Sequence, residues 1–252
     1  MRTGEPVAAG IPLAAPDQQR AANAPLQTAY AVAGVAAVVL IFVGLLLSQY
    51  MPPPKADWSA EHIQVFYQSH TALKRVGIFL LLFGTTLFAV LVAGMKVVLG
   101  RIEGPGRPLG LLQAIIGAAG TALLMLFAMI LAVAAFRPER SPEITQALHD
   151  LGWFMAFISA VPFTLQAVAI AVAILTNRET VLPRWFGYLN ISVAVLLLPG
   201  AALLFFKTGP LAYHGILSYW IPVFDFGIWM LAMAWAIRRS ALTPDSSISA
   251  AA

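Results

Sequence analysis

Residues 109–136 read LGLLQAIIGAAGTALLMLFAMILAVAAF. No Asp, Glu, Lys or Arg interrupts the stretch, and prolines at Pro108 and Pro138 bracket it. A helix rises about 1.5 Å per residue, so about 20 apolar residues cross the roughly 30 Å hydrocarbon core of a bilayer. This stretch is long enough to cross. Working outward, Ala29–Tyr50, Val76–Met95, Leu151–Asn177 and Trp185–Phe206 also lack these four residue types, and Thr208–Ile237 is broken only by Asp225. The chain is therefore read as an all-α polytopic membrane protein. Its six transmembrane helices are expected near residues 29–50, 74–98, 109–136, 142–177, 185–206 and 213–238, within a membrane domain spanning 28–239.

Composition agrees with this reading. Of 252 residues, 60% are hydrophobic and 10% charged, where a soluble domain averages roughly 45–50% and 25%. The formal charge of +4 does not point to nucleic acid, because the basic residues flank apolar spans and form no stripe. The bilayer is the expected partner, and nucleic acid is not. With no cysteine, disulfides, thiolate metal sites and c-type haem attachment are excluded. No nucleotide-binding glycine loop, zinc-protease helix, nucleophile elbow or EF-hand is present, and no catalytic residue is assigned.

Lysine and arginine placement orients the chain. With a cytoplasmic N-terminus, that side holds Arg2, Arg20, Lys96, Arg101, Arg107, Arg178, Arg184, Arg238 and Arg239, leaving Lys55, Lys74, Arg75, Arg137, Arg140 and Lys207 outside. This bias places both termini in the cytoplasm. The expected location is a plasma membrane of the bacterial inner-membrane type. Residues 1–27, with Pro6, Pro12, Pro16 and Pro25 among small and polar residues, and residues 240–252 are expected to be disordered cytoplasmic tails.

Two features place ordered structure outside the bilayer. Ser141-Pro142-Glu143 combines an N-cap residue, a proline at the first helical position and an acid in the first turn, so the fourth helix starts well before its apolar span. Ile63, Phe66, Tyr67, His70 and Leu73 follow a helical stripe, so helix is expected from Asp57 or Ser59. On this outer rim His70, His149 and His214 fall at matching depth. Three imidazoles there, with carboxylates nearby, are a candidate ligand set for a metal ion or haem b. Histidines also suit headgroup depth without any ligand.

Asp225 lies near the bilayer midplane, where a carboxylate costs roughly 2.5–3.5 kcal/mol on insertion scales and needs partners. Counting along the other helices brings Thr85, Thr86, Thr121, Thr164 and Gln166 to a similar level. They are expected to form a polar layer with Asp225 and bind a ligand. Pro162, Pro199 and Pro222 should kink three helices close to this level. Gly110, Ala114, Gly117 and Thr121 form a small-residue stripe for close helix packing, while Lys74, Arg75 and Lys96 should snorkel to headgroups.

Three functions fit these patterns. The first is binding or translocation of a small apolar or amphipathic molecule in a mid-membrane cavity that holds the buried carboxylate. The second is a membrane enzyme or electron-transfer subunit with a metal or haem on the rim histidines. The third is a non-catalytic accessory subunit that packs against membrane-protein partners.

Overall fold

The computed structural model describes residues 16–104, 108–177 and 181–242, with side chains from residue 25 onward in these segments. Among them there is no strand, and six helical stretches are long and apolar enough to cross a membrane: Pro25–Leu47, Thr71–Glu103, Leu109–Phe136, Pro142–Thr176, Arg184–Leu204 and Ile216–Leu242. The helices are α1 (Pro16–Leu47), α2 (Ala60–Gln68), α3 (Thr71–Glu103), α4 (Leu109–Phe136), α5 (Pro142–Ile158), α6 (Ala160–Thr176), α7 (Arg184–Leu197) and α8 (Ile221–Leu242). A 3-10 segment, Leu198–Leu204, extends α7, and a π turn, Ile216–Trp220, leads into α8.

The first helix begins earlier than expected. Residues 16–27 belong to α1, with Pro25 inside it, so the expected tail is helical over this part; residues 1–15 and 243–252 lie outside the described residues. The outer helix predicted from Ser59 is α2, and the Ser59 hydroxyl caps it by accepting the His62 N–H at 3.3 Å. The stripe does not continue unbroken. His70 has φ 49° and ψ 38°, a left-handed residue that turns the chain between α2 and α3.

Three spans break or change helix type inside the bundle, each near a proline. Pro162 lacks the N–H that would bond back to residue 158 and its ring crowds that carbonyl; α5 ends at Ile158 and α6 starts after Ser159. Pro199 stands at the start of the 3-10 segment, and Pro222 follows the π turn. Ser218 satisfies carbonyls freed there, its hydroxyl lying 3.1 Å from the Pro199 carbonyl and 2.8 Å from that of Leu211. By contrast α1, α3 and α4 cross unbroken.

The closest helix pair is α1 with α3. A Cβ on Gly77 would lie 2.4 Å from the Ser48 backbone nitrogen and 2.7 Å from the Gly44 carbonyl oxygen. A Cβ on Gly44 would meet the Gly77 carbonyl at 2.7 Å. Backbone rests on backbone, which only glycine allows. The α4 stripe also packs, but against side chains: Gly117 lies under the Gln166 amide and Gly120 under the Phe163 ring.

Two separate apolar cores result. One, toward the chain termini, joins α3, α6, α7 and α8 through Phe88, Leu91, Ile170, Phe186, Trp229 and Met233. The other, at the α2 end, joins Tyr50, Tyr67, Leu131, Trp153, Tyr213 and Tyr219. The three helix breaks lie between them. Charged side chains at the helix ends bond to the protein. Lys74 is fully buried and its ammonium donates to Gln49 Oε1, to the Ser69 carbonyl at 2.8 Å and to the Ser69 hydroxyl at 3.3 Å, over the Phe66 ring. Arg75 donates to the Ala135 and Phe136 carbonyls that end α4. The snorkelling expected of this pair is therefore replaced by internal capping, because the turns at Gln49 and Ser69 and the α4 terminus leave acceptors within reach.

Candidate functional site

A cavity of about 110 Å³ lies between the two cores. Its wall is drawn from α1, α3, α4, α5, α6 and α8, and from all three helix transitions: Ser159 and Ala160, Leu197 and Gly200, Tyr219 and Pro222. Phe42, Phe127, Trp153, Phe157, Phe163, Tyr219 and Phe226 supply seven aromatic rings to the wall. The polar groups on it are occupied elsewhere. Thr85 Oγ1 donates to the Leu82 carbonyl at 3.0 Å, Ser159 to the Ala156 carbonyl, the Trp153 indole to His149 and the Tyr219 hydroxyl to the Tyr50 carbonyl. The cavity thus presents hydrocarbon and ring surface, with no free donor or acceptor demanded of an occupant.

The expected polar layer does not assemble. Thr85 and Thr86 both bond to the Leu82 carbonyl, and Thr121 bonds to that of Gly117 at 2.7 Å. A threonine in a helix satisfies itself on the preceding turn, which removes the need for a partner across the bundle. Thr164 donates to the Ala194 carbonyl of α7 at 3.3 Å. Gln166 donates to Gln113 Oε1 at 3.0 Å, and Gln113 donates to the Val92 carbonyl at 3.3 Å, tying α6, α4 and α3 together. Of the six residues expected to bind a ligand, only Thr85 lines the cavity.

Asp225 stands apart from it. The cavity takes Pro222, Val223, Phe226, Gly227 and Met230 from α8, and Asp225 points along a different side. Its Oδ2 is buried with no hydrogen-bond partner. One turn further along, the Trp229 indole donates to Asn190 Oδ1 of α7 at 2.8 Å.

The rim histidines are not a shared ligand set. Among the described residues no group of three His, Cys, Asp or Glu side chains is placed to hold a metal ion. His149 is fully buried, with Nε2 accepting from the Trp153 indole at 3.1 Å and Nδ1 3.0 Å from the Tyr67 hydroxyl. An indole nitrogen can only donate, so Nε2 accepts, the imidazole is neutral and Nδ1–H donates to Tyr67. Neither nitrogen keeps a lone pair for a metal or haem iron. His214 Nδ1 accepts the Ala56 N–H at 3.0 Å, and His70 is exposed at the turn before α3. Equal depth along the helices did not mean equal direction across the bundle.

His149 with Tyr50, Tyr67, Tyr213 and Tyr219 instead belongs to an aromatic roof at the α2 end, which meets the cavity through Trp153 and Tyr219. The Tyr67 hydroxyl is 3.1 Å from that of Tyr50, and Trp153 stacks on Tyr213 with ring centroids 5.5 Å apart. Burial pushes the Tyr50 and Tyr67 phenols well above their ordinary range, and burial with the nearby Asp150 does the same for Tyr213. All three stay neutral. This roof is hard to read from the chain, because its members come from five separate segments; the one local signal is His149 and Trp153, four apart on one helix face. The chain matches no protein-family model, no curated protein and no solved structure.

Proposed function

We propose that this multi-pass membrane protein binds a small apolar molecule, or the apolar end of an amphipathic one, in the cavity between its two cores. The observation that carries the reading is the coincidence of the cavity with all three helix breaks. A void costs stability in proportion to its size, and broken helices cost hydrogen bonds. Paying both at one place is the pattern of a binding site, and in membrane carriers interrupted helices at mid-depth surround the substrate. An apolar cavity of about 150 Å³ in a soluble protein stays dry and takes benzene, so the size suits a small ring or the tip of a hydrocarbon chain.

The breaks also suggest how an occupant is passed on. The α2-end segments of three spans can rock on their breaks while α1, α3 and α4 stay whole, opening the cavity toward one side. The basic-residue bias supports both termini on the cytoplasmic side, with the aromatic roof facing out. Placement in a bacterial-type plasma membrane rests on the sequence alone. Asp225, expected from its depth to border the cavity, is not part of this site.

Thermal unfolding of the purified protein with saturating benzene or p-xylene tests the reading. A ligand of the folded state raises the midpoint saturably. Gly200→Leu should remove the effect, since a Cβ on Gly200 has only ordinary contacts, the nearest 3.5 Å away, and the longer side chain fills the void. Equal shifts in wild type and Gly200→Leu would refute the proposed cavity binding.

A further inference from the structure

We infer that the α7–α8 seam docks a transmembrane helix of another protein, one that carries a lysine or arginine at mid-depth to meet Asp225. Among the described residues Asp225 makes no hydrogen bond and no ion pair, although its Oδ2 is enclosed and the residue is half-buried. Ionisable groups inside membranes almost always pair or face a polar cavity, and this one does neither. The cavity between the two cores passes it by.

The helical geometry gives the direction. Phe224, Ile228 and Leu231 are exposed and mark the lipid side of α8. Trp229, one turn from Asp225, is fully buried and bonded to Asn190 of α7. At about 100° per residue, Asp225 lies between these two faces, at the edge where α8 meets α7 and the bilayer. On α7 the exposed residues on the α8 side are Trp185, whose ring lies 5.1 Å from that of Trp235, and Leu196.

A donor must therefore come from the bilayer side, and its chemistry is restricted. A bare cation does not enter hydrocarbon, and an amphiphilic amine keeps its charge at headgroup depth, far from the midplane. A basic side chain on an apolar helix is held at the right level by the helix itself. A second copy of this chain cannot supply it, since Lys74, Arg75, Lys96, Arg101, Arg238 and Arg239 all lie toward span ends. The partner is a different protein.

Synthetic helices test this directly. A fluorescent Leu-Ala transmembrane peptide with one central lysine, and a twin with leucine there, are titrated against labelled protein in phosphatidylcholine nanodiscs. Energy transfer should show the lysine helix associating at least tenfold more tightly with wild type and with Asp225→Glu. Asp225→Asn should abolish the difference while keeping the wild-type circular dichroism and melting midpoint. Equal association of both peptides with wild type, or an unchanged lysine preference in Asp225→Asn, overturns the proposal. Displacement of the lysine helix by an equal membrane concentration of decylamine overturns it too, because the site would then be one for small amines. If Asp225→Asn fails to fold, Asp225→Leu and the wild-type peptide comparison carry the same decision.

Discussion

Gly77→Ala puts one methyl group where two helix backbones touch. The new carbon would lie 2.4 Å from the Ser48 nitrogen, 2.7 Å from the Gly44 oxygen and 2.9 Å from the Ser48 Cβ. Neither backbone atom can turn aside as a side chain does, so α1 and α3 must part by about 1 Å to restore ordinary contact. Overpacking in a close-packed interior costs roughly 1–3 kcal/mol, and a backbone clash belongs at the upper end. Alanine returns about 1 kcal/mol through helix propensity. The net loss is about 2 kcal/mol, or roughly thirtyfold in the unfolding equilibrium. Gly100→Ala is the control, because nothing lies within 4 Å of its Cβ position; it should leave stability unchanged or raise it slightly. Reversible denaturation in mixed micelles, followed by circular dichroism, measures both variants. A Gly77→Ala protein as stable as wild type would refute the backbone contact, as would equal damage from Gly100→Ala.

Other consequences follow from the roof. His149→Phe leaves the buried Trp153 indole N–H without its acceptor and should cost about 1–3 kcal/mol, measured in the same denaturation assay. His149→Phe with Trp153→Phe should recover part of that loss, since removing both partners leaves nothing orphaned; a double variant worse than the sum of the singles would contradict the pairing. At His214, burial holds the imidazole below its ordinary pKa despite the opposing Asp57 charge. The folded state therefore favours neutral His214, and its contribution is complete above about pH 6.5 and lost as pH falls below that, where the unfolded chain takes the proton first. Melting midpoints between pH 7.5 and 5.5 should fall less in His214→Gln than in wild type.

The amount legible in the sequence differed by level. Six spans could be read because the need to bury backbone in lipid leaves long charge-free runs that few other structures require. The bounds of α4 were read to the residue because prolines and Arg137 punctuate it. Pro162, Pro199 and Pro222 marked where helices would be disturbed, but not that Ser159, Gly200 and Tyr219 would meet around one void. That depends on rotation of each helix about its axis, and the weak amphipathicity of spans with apolar faces on both sides leaves rotation unspecified. The same gap separated Asp225 from Thr85 and Gln166. Depth along a helix is fixed by counting residues, whereas azimuth is set by neighbours such as Gly44 on Gly77, which no single stretch reveals.

Fluorescence of Trp153 gives the most direct test of the central claim, because that indole stands in the cavity wall. Bromobenzene, a small apolar quencher, is titrated into nanodisc-embedded protein whose other five tryptophans are replaced by phenylalanine. The account predicts saturable quenching of Trp153 that benzene competes away and that Gly200→Leu eliminates. Quenching that rises only linearly with quencher in the bilayer, identical in Gly200→Leu, would show no bound apolar molecule and contradict it.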